Sequence, residues 1–342
     1  MTATAVASEK SDRQSLSDRL AAVDQGLFVG VLLLVLVAVF ALTLPRFLTT
    51  GNARGIASST SGLGVLALAQ AVVVIGRGLD LSVVAVYGVT GQLVAQLLND
   101  GRGQAYAVAL GFGVALVLGL FNGVLVAYLE VPPLFVTLAT SLLFVGLFRL
   151  AVFSGAVLFT MPTSAAAVTR IGQGEILGTP LSLFIWLALA VVIWQWMRRT
   201  ATGRMVYAVG DNLAAARVAG IPARPLTVLT YVVSASLAFI AGLMIITATG
   251  QFDGRTITAG TQLYDVIAIV VIGGVSLAGG RGSILGVVSG TLLIAIILNG
   301  MTLLNFSSIQ QSLFKSLIVL AALVLDRYLH PPDEETARAG DL

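Results

Sequence analysis

Residues 105–128 read AYAVALGFGVALVLGLFNGVLVAY, 24 consecutive positions without one charged side chain. A helix needs about 20 predominantly apolar residues to cross roughly 30 Å of hydrocarbon, so this stretch is long enough to span a bilayer. Nine further predominantly apolar stretches lie at approximately 26–44, 56–75, 81–98, 134–153, 181–197, 226–247, 264–279, 283–303 and 309–327. They are continuous runs of Leu, Val, Ala, Ile and Gly, not the short alternating segments a membrane barrel requires. The expected fold is all-α and polytopic, with about ten transmembrane helices.

The composition agrees. Of 342 residues 57% are hydrophobic and 10% charged, where a soluble globular chain carries charge on about a quarter of its positions. Cysteine is absent, which excludes a disulfide scaffold, a thiolate metal site and a Cys nucleophile. With His330 as the single imidazole, a Ser-His triad has almost nothing to draw on.

The net charge of +3 does not point to nucleic acid, because the arginines lie between apolar runs and do not cluster with aromatics. They report orientation instead. With an inside N-terminus, the inner side collects Lys10, Arg13, Arg19, Arg77, Arg198, Arg199, Arg204, Arg217, Arg224, Arg281, Arg327 and Arg338, twelve in all. The outer side collects five, Arg46, Arg54, Arg102, Arg170 and Arg255, while Arg149 and Lys315 fall within spans. Both termini are therefore expected in the cytoplasm. Residues 1–22 read as a polar cytoplasmic tail, 23–330 as one transmembrane domain with a cytoplasmic loop at 198–225, and 331–342 as a second cytoplasmic tail. The first apolar run lacks a small-residue cleavage pattern at its end and reads as an uncleaved span.

Two interruptions stand out. Gly76-Arg77-Gly78-Leu79-Asp80 breaks a long apolar stretch with two charges, which suggests a broken or re-entrant element. Val73-Val74-Ile75-Gly76 recurs as Val270-Val271-Ile272-Gly273, each at the end of a span running in the same direction and each leading into a Gly-rich turn with an arginine. Small residues repeat within spans as Gly111, Gly113, Gly119 and Gly123, and as Gly286, Gly290 and Ala295, where close backbone approach supplies packing that lipid does not drive.

The connection from Arg198 to Pro225 holds five arginines and one acid. Within it Gly210–Pro222 reads as a short helix: Asp211 or Asn212 caps its first amides, Ala214, Ala215 and Ala216 fill it, Gly220 takes the left-handed position and Pro222 forbids continuation. Too short to be stable alone in water, it must dock on something.

Three of these segments resemble ABC importer permeases of the ribose and simple-sugar group, with likeness also to autoinducer-2 permeases. Tyr207-Ala208-Val209-Gly210-Asp211-Asn212 with Ala214–Arg217 and Ala219-Gly220-Ile221 is similar to their cytoplasmic coupling loop. Arg77-Gly78-Leu79-Asp80-Leu81-Ser82-Val83 resembles their Gly-Gly-Ile-Asp-Leu-Ser-Val signature, with Arg77 in place of a small residue and Val84 in place of a glycine. Ile272–Leu277 with Gly279-Gly280-Arg281-Gly282-Ser283 resembles their Ile-Gly-Gly-Thr-Ser-Leu-x-Gly-Gly-Arg-Gly-Ser signature. The resemblance implies a multi-pass subunit of the bacterial inner membrane for monosaccharide import. Its implied partners are ATP-binding cassette subunits, a substrate-binding protein and a second permease copy, identical or paralogous. Autoinducer-2, nucleosides and branched-chain amino acids are the alternative cargoes.

No Gly-x-x-x-x-Gly-Lys-Ser/Thr occurs and the only lysines are Lys10 and Lys315, so the chain carries no P-loop. ATP and Mg are expected on partner subunits and no cofactor on this chain, which also lacks the groups a membrane enzyme would use. An ion-coupled transporter is the rival class; it calls for an intramembrane carboxylate network, which Asp265 and Glu130 at span ends do not make.

The resemblance assigns ATPase coupling to Gly210, Asp211, Asn212, Ala215, Ala216, Arg217 and Gly220. Candidates for a pathway or gate are Gln70, Arg77, Asp80, Gln92, Asn122, Thr140 and Asn299, because a neutral sugar is recognised by hydrogen-bonding groups rather than by charge. Asp80 either pairs with Arg77 three residues before it or caps the helix that follows. Lys315 and Arg149 either snorkel to the surface or contact solute. The outer connections 154–180 and 250–262 are expected to cap the bundle or to receive the binding protein.

Overall fold

The structure is a computed structural model and describes residues 25–258 and 260–329. The tails 1–22 and 331–342, and His330, lie outside the described residues. Fourteen helices occur in this range. Six are long and apolar enough to cross a membrane: α2 (Thr50–Ile75), α4 (Gln104–Ala127), α5 (Pro133–Ala151), α7 (Leu181–Arg199), α10 (Ala223–Thr249) and α13 (Ile284–Leu303). The remaining apolar stretches are occupied by α1 (Gln25–Thr43), α3 (Val83–Asn99), α12 (Thr261–Ile272) and α14 (Ser308–Leu329). Helix α12 stops well short of residue 279 because Gly273 and Gly274 close it.

The order of burial defines the bundle. Every residue of α2 from Val65 to Ile75 is buried, and α3 and α10 are nearly as enclosed. By contrast α4, α5 and α7 bury only one stripe and leave large apolar residues such as Leu142, Leu150 and Val192 exposed, as a lipid-facing ring does. The glycine stripe on α4 works within the chain: a Cβ on Gly111 would meet Phe239, and on Gly119 and Gly123 would meet α10 backbone, whereas Gly113 faces open space. Gly286 and Gly290 press on the backbone around Gly273 in the same way.

Strictly all-α is corrected in one respect. The two outer connections fold rather than loop: β1 (Leu158–Thr160) pairs antiparallel with β4 (Gln251–Asp253), and β2 (Glu175–Ile176) forms a tight hairpin with β3 (Thr179–Pro180). Leu177 and Gly178 both take positive φ at its tip, which gives a two-residue turn the twist its strands need. Short helices α6 (Ala166–Gln173) and α11 (Arg255–Thr258) lie beside these strand pairs in the sequence, and α8 (Ala201–Asp211) and α9 (Leu213–Val218) follow α7. The pair β1–β4 joins two segments about ninety residues apart into one cap.

Candidate coupling and gating site

The two recurring Val-Val-Ile-Gly segments close their helices identically. At the end of α2 the Arg77 amide donates to the Val74 carbonyl and the Gly78 amide to Val73. At the end of α12 the Gly274 amide donates to Val271 and the Val275 amide to Val270. Each is a Schellman closure with one residue in the left-handed region: Arg77 at φ 65° in the first, Gly274 at φ 79° in the second. The broken element foreseen at 76–80 is thus a helix stop and restart, and it has a counterpart 197 residues later.

Between them sits the α8–α9 segment. The Ile75 carbonyl, left open at the end of α2, accepts from the Gly280 amide at 2.9 Å. Gly210, buried at the end of α8, lies directly against Ile75 and Gly280, so that a Cβ there would collide with both backbones. Gly279 presses on Arg77, and Gly280, at φ 71°, presses on Asp211. Glycine is required at 210 because no side chain fits, and at 280 because the backbone is also left-handed.

After α8 the chain turns at Asn212, whose side chain accepts from the Ala215 amide at 2.9 Å and so caps α9. Gly210 and Asp211 belong to α8, which shortens the coupling helix to six residues. Its far end is another Schellman closure, with Gly220 left-handed at φ 78°. Only Ala216 is buried; Ala215, Arg217 and Gly220 are exposed. The seven coupling candidates therefore divide into a buried set that packs against the bundle and an exposed set on its surface.

Arg217 and Arg224 both reach Glu130 in the α4–α5 connection, at 3.6 and 2.9 Å. They hold the Glu130 carboxyl below the usual carboxylate range, chiefly through the Arg224 hydrogen bond. All three side chains are about half exposed, so water screens the pair. These elements enclose a cleft of about 350 Å³ lined by Gly76–Gly78, Glu130–Pro133, Leu213, Arg217 and the first turns of α10.

Deeper in, Asp80 anchors a polar knot. Its Oδ1 accepts from the Ser82 amide at 3.0 Å and the Ser82 hydroxyl at 2.6 Å, and its Oδ2 accepts from the Ser234 hydroxyl of α10 at 2.9 Å. Asn122 of α4 donates to Ser82 Oγ at 2.7 Å. Thr137 of α5 accepts from the Leu81 amide, and Tyr231 of α10 donates to the Leu79 carbonyl. The pairing of Asp80 with Arg77 is corrected: Arg77, in its left-handed turn, is exposed and off the helical geometry that a three-residue spacing assumes, and Asp80 turns inward to three donors instead. Asp80 takes the Ser82 amide just ahead of α3, whose N-cap is Ser82 with no side-chain capping bond.

Of the other gate candidates, only Asn122 joins this knot. Gln70 is wholly buried on α2 with neither amide atom hydrogen-bonded, and Gln92 is buried with its Nε2 unpartnered, both among the described residues. Thr140 donates to the Thr137 carbonyl of its own helix. Asn299 exchanges two hydrogen bonds with Asn52, at 2.7 and 3.0 Å, clamping α13 to the start of α2. Lys315 neither snorkels nor stands alone: its Nζ lies 2.8 Å from Asp265 Oδ2, tying α14 to α12. Arg149 is exposed at the end of α5. Sequence reasoning missed Glu130, Arg224, Ser234 and Gly280 as partners; the glycine density at 279–282 was the one signal that could have flagged the last.

Residues 52–325 match the family described as branched-chain amino acid transport system / permease component. Among curated proteins, the chain is 31% identical to the ribose import permease protein of Haemophilus influenzae over 90% of this chain and 94% of that one. It is 33% identical to the ribose import permease protein of Bacillus subtilis, over 88% and 92%, and 32% identical to the L-arabinose transport system permease protein of Escherichia coli K12, over 87% and 89%. No solved structure gives a significant match.

Proposed function

The chain belongs to the branched-chain amino acid transport system / permease component family, and from that premise we propose that it is the membrane subunit of an ATP-binding-cassette importer for a monosaccharide, a pentose being favoured by the relatives named above. It is a multi-pass protein of the bacterial inner membrane, with ten spans and both termini cytoplasmic in our reading. It moves solute and makes no covalent bond. Nucleotide and Mg²⁺ bind separate ATPase subunits, a binding protein delivers the sugar from outside, and a second copy or paralogue completes the pathway. The observation that carries the reading is the position of Gly210. The cytoplasmic segment that would meet an ATPase is in backbone contact with both helix breaks at once.

The sequence of events follows from rigid contacts. The exposed face of α9 docks on an ATPase through Ala215, whose small side chain admits close approach. When the nucleotide-binding subunits close, α9 and α8 move as a unit. Gly210 then displaces the end of α2 and the Gly-rich turn between α12 and α13 together, because no side chain lies between to absorb the motion. The Asp80 knot passes the shift to α4, α5 and α10, and the bundle exchanges outward and inward openings by rigid-body movement. Asp211 and Asn212 fix the α8–α9 corner, Ala216 seats the helix, and Gly220 ends it. Gln70, Gln92, Thr140 and Asn299 remain our candidates for polar groups uncovered on opening.

The test is uptake of labelled ribose or L-arabinose by proteoliposomes holding the complete assembly and its binding protein. Accumulation should require ATP on the cytoplasmic side. Accumulation that persists without ATP and collapses with an ion gradient would replace this reading with a secondary transporter.

A further inference from the structure

Five arginines lie between Arg198 and Pro225. Arg217 and Arg224 are satisfied by Glu130. The other three, Arg198, Arg199 and Arg204, have no carboxylate partner among the described residues, and they gather at one corner. Arg198 and Arg199 both stack on the Trp194 ring, their guanidinium carbons 5.7 and 5.5 Å from its centroid. Arg204 donates to the Arg199 carbonyl at 3.3 Å, which draws its guanidinium to the same corner.

This corner overhangs a cleft of about 390 Å³ between the end of α7, α8 and the start of α13, lined by Trp194, Arg198, Arg204, Tyr207, Ser283 and Leu285. The cleft has two unlike walls. One carries cationic donors and hydroxyls. The other opens onto exposed apolar side chains, Leu285 at 58% and, one to two turns back along α7, Val191 at 50% and Leu187 at 41%. An occupant must present an anion at the cytoplasmic rim and hydrocarbon along the side of the bundle.

We propose that this corner is a binding site for an anionic phospholipid of the inner leaflet, its phosphate held by Arg198 and Arg204 in the cleft with Arg199 adding charge beside Trp194, and its acyl chains along α7 and α13. Clustered guanidinium groups suit phosphate through several donors at once, and a basic cleft between helices at the cytoplasmic surface recognises anionic headgroups. Tryptophan at this depth has the amphipathic character of the membrane interface. The Tyr207 hydroxyl donates to the Gly282 carbonyl at 3.0 Å, so the same cleft wall ties α8 to the second helix break. The lipid would staple the base of the coupling segment to the bundle.

The test is native mass spectrometry of the full assembly after equilibration in micelles with equimolar phosphatidylglycerol and phosphatidylcholine. The wild type should retain phosphatidylglycerol at least fivefold over phosphatidylcholine, with the ATPases attached. Replacing all three arginines, R198Q with R199Q and R204Q, should abolish that preference. The lysine triple variant should keep most of it, and the outer-side pair R46Q with R102Q all of it. Absence of preference in the wild type overturns the proposal without recourse to any variant. So does displacement of the lipid by millimolar inorganic phosphate, which would make the site a phosphate site only, and so does its expulsion when the ATPases bind, which would make the corner a protein contact. None of these readouts depends on transport, so failure here leaves the importer assignment standing.

Discussion

The two helix breaks share a backbone and differ in what they are made of. Both end an apolar helix with Val-Val-Ile-Gly and the same pair of reversed hydrogen bonds. The first puts an arginine in the left-handed position and follows it with a buried carboxylate knotted to α4 and α10. The second uses Gly274, Gly279, Gly280 and Gly282, all at positive φ, and no acid before Ser283. One break is fixed by side chains and the other is shaped by their absence. The lesson is a contrast at a shared seam: the first break is knotted to the bundle through side chains, while the second lies backbone to backbone against Gly210 and Asp211.

The strongest way to break this comparison is to fill the seam. Gly210→Leu forces a side chain into the Ile75 and Gly280 backbones, and overpacking of that kind costs about 1–3 kcal/mol or more. ATP-driven sugar uptake should fall at least tenfold, with the assembly isolated by size exclusion to show that subunits still associate.

Removing the knot is next in size. Asp80→Ala strips the acceptor from Ser82 and Ser234 and should cost about 3 kcal/mol, read as a lower apparent melting temperature of the purified chain. Asp80→Asn, which keeps an acceptor oxygen, should cost less. Equal stability for the alanine variant would show that the first break is no more fixed than the second.

How far the sequence reveals this arrangement depends on the range of each interaction. The membrane stretches are legible because hydrocarbon imposes length and polarity locally. The stop at 76–80 is legible because charge interrupts an apolar run, and Gly220 and Asn212 because caps depend on near neighbours. Contacts such as Gly210 with Gly280, Lys315 with Asp265, or Glu130 with two arginines join residues scores of positions apart, and no local pattern encodes them. The spacing of Arg77 and Asp80 misled for a related reason: it assumes helix where the chain is left-handed. The recurrence of Val-Val-Ile-Gly was visible as four letters, but its meaning lies in matched hydrogen bonds.

A reciprocal exchange sharpens the comparison with smaller effects. A non-glycine residue in the left-handed region costs about 1–2 kcal/mol, partly offset because glycine loses more freedom on folding. Arg77→Gly should therefore stabilise by about 1 kcal/mol, and Gly274→Ala should destabilise by a similar amount. Thermal denaturation of the two variants in one detergent checks the opposite signs.

The smallest effect is pH dependence through Glu130. Its carboxyl is held below the usual range by Arg224 and Arg217, so its contribution is present above the ordinary glutamate pKa of about 4.3 and is lost as pH falls through the lowered folded value. Acid unfolding of Glu130→Gln should lack that increment while matching the wild type in slope elsewhere. An identical acid limb for both chains would show that the link from α9 to the α4–α5 connection is too solvated to matter.

The central claim is that α9 is a handle through which a separate motor moves both breaks. The Ala215 side chain is exposed, and the capping bond it takes part in uses only its backbone amide, so Ala215→Trp changes the surface of the handle and leaves that bond in place. In proteoliposomes with ATPases and binding protein, sugar entry and ATP hydrolysis should be measured together. This variant should keep its fold and hydrolyse ATP while sugar carried per ATP drops at least tenfold. An unchanged ratio, with subunit association undisturbed, would contradict it.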